Sequence, residues 1–213
     1  MRHNAGMDPN DYPAKSLVVQ ARLNKLGLTP ARLQLIGAFV VAYGLFETGL
    51  ERALWALTET SVKGIRPFTE QMSQEKQFAR LGEGSPKLSP ECNAVLKVAA
   101  QVAVDLSEYR NSLFHGCLMT FGQDGSPSFM KNPGWSGEQR KKRIGDAFLE
   151  EPIQDLVLLA AWTLARAVQL AAKAMAEPEY QPMLAELSAD VARARSYASE
   201  ARHLGALMND ERY

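Results

Sequence analysis

The chain has 213 residues, 46% of them apolar, which is enough for one sizeable hydrophobic core and too apolar for a disordered chain. Its 24 basic side chains balance its 24 acidic ones, so no global field draws it to nucleic acid or to a membrane, and any such binding must rest on local patches. Cys92 and Cys117 fall at opposite ends of one predicted helix, too far apart to bridge at about 1.5 Å of rise per residue, and read as free thiols of a reducing compartment.

The first residues, 1–13, lack the apolar centre of a signal peptide and read as a flexible lead-in. The longest uncharged run, 33–46, is shorter than the roughly 20 residues a membrane span requires. A buried helix, a cytoplasmic location and no membrane partner are therefore expected. Leu17, Val18, Ala21 and Leu26 suggest a short helix over 13–26, stopped by Gly27. Thr29-Pro30 then opens a long helix to about residue 58, because Thr caps free amides and Pro at the first position presets φ. Leu33, Ile36, Phe39, Val40, Tyr43, Phe46, Leu50, Leu54 and Leu57 form a wide apolar stripe that other helices must cover. Glu47 stands at the edge of that stripe. Its ordinary role is that of a solvated margin residue, although a carboxylate beside so apolar a face usually wants a partner.

The pattern breaks over 61–67, and 69–81 reads as a short polar helix anchored by Met72, Phe78 and Leu81. A Gly- and Ser-rich loop follows, and Ser89-Pro90 opens the next helix by the same capping chemistry. In it Val95, Val98, Ala99, Val102, Leu106, Tyr109 and Leu113 pack inward. Ser107, Asn111 and His115 share one face at its border, and the long side chain of Arg110 reaches the same rim. Without further context, His115 and Arg110 are last-turn cations answering the helix dipole, and Gly116 is a left-handed stop.

After Gly116 the residues read as two short strands joined by a Gly/Asp turn. A loop follows over 132–137, then the cluster Arg140, Lys141, Lys142 and Arg143. Such a run is usually a solvated face, but its place between that helix and the next would let it bind phosphates without reading sequence. Glu151-Pro152 starts a Leu- and Ala-rich helix that ends before Pro178. The Ala-rich segment 182–207 carries a thinner seam of Leu184, Leu187, Val191, Ala194, Tyr197, Ala201 and Leu204. His203 reads as an exposed helix residue. The organisation expected is a lead-in and short helix over 1–28, a helical domain over 29–177, and a C-terminal helix within 178–213 that is either a packed extension or a partner arm.

No Cys-x-x-Cys, His-Glu-x-x-His, Gly-x-x-x-x-Gly-Lys or Gly-x-Ser-x-Gly pattern occurs, so no metal or cofactor is expected and acyl chemistry is unsupported. His115 is the one acid or base suited to neutral pH, since an imidazole ordinarily titrates near about 6.5.

The run Arg110-Asn111-Ser112-Leu113-Phe114-His115-Gly116 resembles the signature of the HEPN superfamily, an Arg followed by four to six residues and a His, with Asn often directly after the Arg. The resemblance covers roughly 29–174 and implies an all-α bundle of four or five helices, here with a small β-hairpin after the motif helix. It also implies a homodimer whose paired Arg and His side chains form one metal-independent endoribonuclease site on single-stranded RNA. On that analogy His115 handles protons, Arg110 binds the scissile phosphate, Asn111 positions one or both, and Glu47 orients Arg110 or His115. Toxins and anti-phage effectors belong to the superfamily, which makes an antitoxin or other regulatory protein a candidate partner. The toxins modified by nucleotidyltransferases carry Tyr two residues after the His. This chain has Cys117 there, so that control is not carried over. The alternative is an inactive HEPN-like dimeric module that binds RNA or a protein partner.

Overall fold

The computed structural model describes residues 11–61, 71–120, 127–130 and 147–210. Expectations for the lead-in at 1–10, the break over 62–67, the turn 122–126, the loop 132–137 and the basic run 140–143 lie outside the described residues, and the helix expected over 69–81 starts instead at Gln74, where Ser73 supplies the cap. Among the described residues the chain forms seven α-helices and three short strands, an all-α bundle with a small sheet beside it.

Each helix starts where local chemistry supplies a partner for its free amides. Asp11 caps α1 (Tyr12–Lys25), Thr29 caps α2 (Pro30–Leu57), Ser73 caps α3 (Gln74–Glu83) and Ser89 caps α4 (Pro90–His115). Each of these caps accepts a backbone N–H three residues on and is worth about 1 kcal/mol. The start of α5 (Glu151–Ala176) has no side-chain cap and relies on Pro152 in its first turn. The expected single helix over 182–207 is divided instead into α6 (Gln181–Ala185) and α7 (Ser188–Asp210). Gln181 anchors the first of these. It accepts from the Ser89 N–H at 3.0 Å and donates to the Lys87 carbonyl at 3.1 Å, tying α6 to the start of α4 while α7 takes its own course along the bundle.

The centre of the bundle is the pair α2 and α5, which run parallel. Arg32 near the start of α2 donates to the Leu149 carbonyl just before α5, and further along Gly49 faces Val168. A Cβ on Gly49 would stand 2.6 Å from Val168 Cγ2, so this close approach requires glycine. The stripe of α2 behaves as its spacing predicts: Phe39, Tyr43, Phe46, Leu50, Leu54 and Leu57 are buried, with Leu33, Ile36 and Val40 packed at the margin. Helix α4 lies antiparallel to α5, its end meeting the start of α5 through the Tyr109 hydroxyl, which donates to the Phe148 carbonyl at 2.7 Å. Phe78 of α3 packs on Phe46 with ring centroids 6.0 Å apart. Helix α7 runs along α4 and α5 and buries Val191, Ala194, Ala198 and Ala201 in the same core, so the C-terminal segment is a packed element. By contrast α1 buries no residue, and Leu17, Val18 and Leu26 stay exposed.

Strands β1 (Cys117–Thr120) and β2 (Pro127–Met130) pair antiparallel with Leu118 opposite Phe129. A third strand, β3 (Ala147–Phe148), adds to the other edge of β2. Two residues carry no alternation that sequence reading can detect. Gly116 is also unlike the expected left-handed stop: its φ of −81° and ψ of 162° are extended, because the chain passes directly into β1. Helices α2 and α5 are long and apolar enough to cross a membrane by length and composition, a property the uncharged run 33–46 understates because it stops at a single Glu. Each spends one continuous face on the core.

Candidate functional site

The last turns of α4 bring Arg110 against the middle of α2. Arg110 Nη2 lies 3.4 Å from Glu47 Oε1, and its Nη1 donates to Asn111 Oδ1 at 3.1 Å. The same Glu47 oxygen accepts from Gln74 Nε2 at 3.1 Å, so the first residue of α3 completes the arrangement. Two rings hold the guanidinium from the sides, Phe114 with its centroid 4.8 Å from Cζ and Tyr43 at 5.9 Å. These positions follow from helical spacing. Phe114 is four residues after Arg110 on α4, Tyr43 is four before Glu47 on α2, and i,i+4 pairs stack along one face.

Glu47 and Arg110 keep 37% and 24% of their side-chain surface exposed, and the pair is long for an ion pair. Such a contact contributes well under about 1 kcal/mol, little enough for a phosphate to displace the carboxylate from the guanidinium. Tyr43 is buried beneath it. Desolvation pushes its phenol well above the ordinary tyrosine value, the charge of Glu47 adds to the rise, and Arg110 and the neighbouring Gln74 amide offset part of it.

Of the sequence-predicted residues, the fold brings Glu47, Arg110 and Asn111 together and leaves His115 apart. His115 is the last residue of α4 and exposed, and among the described residues no hydrogen bond or ion pair reaches it. Five residues along a helix turn a side chain by about 140°, so Arg110 and His115 leave α4 in different directions. The rim imagined from the sequence is therefore divided. Asn111 supports Arg110, while Ser107 turns back to donate to the Val104 carbonyl at 2.7 Å. On the side toward α7, Arg202 bonds Asp105 at 2.7 Å and Glu108 at 3.1 Å, so α7 is latched beside the motif face. His203 is exposed, as expected.

Three participants were missed from the sequence: Tyr43 was assigned to the core, Gln74 to a polar helix, and Phe114 to no role. Arg140, Lys141, Lys142 and Arg143 lie outside the described residues. Cys92 and Cys117 are both free, and the Cys92 thiol lies 3.2 Å from the Gln181 carbonyl. Among the described residues no three of the His, Cys, Asp and Glu side chains converge as a metal site would require. Compared with protein-family models, curated proteins and solved structures, the chain matches none.

Proposed function

We propose that the protein is a metal-independent endoribonuclease of HEPN type, cutting single-stranded RNA by attack of the 2′-hydroxyl on the adjacent phosphate. The observation that carries this reading is Arg110, an arginine held by Asn111 and two rings, loosely paired with Glu47 and partly open to solvent, five residues before an exposed histidine. In the reaction one imidazole takes the 2′-hydroxyl proton as O2′ bonds to phosphorus. The P–O5′ bond breaks, and a protonated imidazole gives the departing 5′-oxygen its proton. Arg110 meets the charge that builds on the phosphorane, and Asn111 keeps the guanidinium in place.

One chain supplies one such imidazole, so the site is built by a homodimer. Pairing is supported by exposed apolar side chains on the motif helix, Val104 and Phe114, which a second copy would cover. Arg140 to Arg143 add sequence-independent phosphate contacts. The two free thiols suit a cytoplasmic protein, where a toxin or anti-phage effector would act and where an antitoxin or other regulator would restrain it.

The second reading, an inactive module that binds RNA or a protein, is favoured by one specific feature: among the described residues nothing orients His115 for catalysis. A pool of single-stranded RNA incubated in chelator separates the two. The ribonuclease reading expects cleavage by the wild type and a loss on the order of 10² to 10⁴ fold in folded His115→Ala. RNA bound without cleavage would establish the binding module instead, and equal cleavage by His115→Ala would trace the activity to a contaminating nuclease.

A further inference from the structure

Among the described residues, the buried side-chain atoms without a hydrogen-bond partner belong to Tyr43, Arg110, Ser128 and Gln154. Two of these, Tyr43 Oη and Arg110 Nε, belong to side chains that face each other. Both are donors that need an acceptor. Gln74 lies beside the phenol, but its amide is turned to Glu47 and leaves the hydroxyl without a well-formed hydrogen bond. Glu47 already receives Gln74 and the far side of Arg110. Tyr43 itself is 1% exposed and feels the charges of both Glu47 and Arg110.

A buried hydroxyl with no partner weakens a fold, and phenylalanine would fill the same space without that penalty. The Gln74 amide reaches this oxygen only outside normal hydrogen-bond geometry, and an acceptor held between the two donors would complete it. The geometry points to Tyr43 as a ligand-binding residue: its hydroxyl and the Arg110 Nε–H together hold one anionic oxygen, which enters as the loose Glu47–Arg110 pair opens. On the ribonuclease reading that oxygen is a non-bridging phosphate oxygen of the RNA strand. The inference rests on that reading only for the identity of the anion.

The test uses the full chain, wild type and Tyr43→Phe, with two probes: inorganic phosphate, and a 2′-O-methyl RNA oligonucleotide that cannot be cut. Thermal melting and fluorescence anisotropy are measured for each. Without ligand, Tyr43→Phe should melt no lower than wild type. It should bind each probe about tenfold more weakly, the loss of one hydrogen bond to a charged group. Binding equal to wild type would mean that the hydroxyl serves no ligand, and a lower melting temperature without ligand would assign it to the core. Either result overturns the inference. Phosphate binding that depends on Tyr43, with no binding of the oligonucleotide, would keep the anion subsite and overturn the ribonuclease reading instead. A wild type stabilised by neither probe would overturn the subsite.

Discussion

Asn93, in the first turn of α4, donates to the Ser85 and Leu88 carbonyls and accepts from the Ser85 N–H, at 3.0, 3.3 and 3.0 Å. Arg110, about five turns further along, leaves Nε unpaired and keeps a loose contact with a half-exposed carboxylate. One end of the helix thus satisfies its polar groups within the chain, and the other holds polar groups in reserve. The two buried tyrosines repeat the contrast. Tyr109 spends its hydroxyl on the Phe148 carbonyl, and the Tyr43 hydroxyl makes no hydrogen bond of normal geometry, with the Gln74 amide only beside it. On the proposed reading, the difference separates groups that hold the fold from groups placed for a ligand, a distinction that burial alone does not make.

The strongest way to break the comparison is complementation. Arg110 and His115 leave α4 in different directions, so a site that uses both draws them from two copies. Arg110→Ala and His115→Ala, each inactive alone, should regain part of the activity when refolded together. Light scattering should show a dimer for both variants and for the wild type. Inactive mixtures, with mixed dimers shown to form, would place the essential pair in one chain or require both copies intact.

Asn93→Ala should come next in size. It removes three hydrogen bonds that hold the turn before α4 and should cost about 2 to 4 kcal/mol in urea unfolding. Cleavage by the folded fraction should not change. A fall in activity beyond the folded fraction would show that the two ends of α4 are coupled.

Tyr109→Phe should cost about 1 kcal/mol, the usual worth of one internal hydrogen bond, and leave cleavage intact, the reverse of the pattern expected for Tyr43→Phe. Burial holds both phenols protonated well above their ordinary value of 10.0, so the folded state keeps protons that the unfolded chain releases. Stability should therefore fall as pH rises above about 10. Tyr109→Phe should flatten that fall when melting is followed against pH.

The starts of α2 and α4 were legible because their causes are local. Thr29-Pro30 and Ser89-Pro90 contain both the cap and the residue that fixes φ, and both caps form. The apolar stripe of α2 is legible for the same reason, since periodicity reports which face is covered. It does not report what lies opposite. Tyr43 therefore read as one more core residue, although its place four residues before Glu47 was a signal that the carboxylate had a ring beside it. Phe114, four residues after Arg110, was a similar signal inside the motif itself. Gln74 was out of reach, because its contact with Glu47 depends on where α3 lands after the chain has left α2. Arg110 was expected to reach the rim of His115, but its guanidinium is held instead toward Glu47 and Asn111, a contact that depends on where α2 lies. The strand β3 and the docking of α6 depend on β2 and on the start of α4, partners distant in sequence.

The central claim is that the open end of α4 cuts RNA through the 2′-hydroxyl, and the product ends test it most directly. Purified wild type in chelator should convert single-stranded RNA into fragments with 2′,3′-cyclic phosphate and 5′-hydroxyl termini. The same sequence as DNA should survive, since it lacks the nucleophile. Fragments with 3′-hydroxyl and 5′-phosphate ends, or equal cutting of the DNA, would contradict the account.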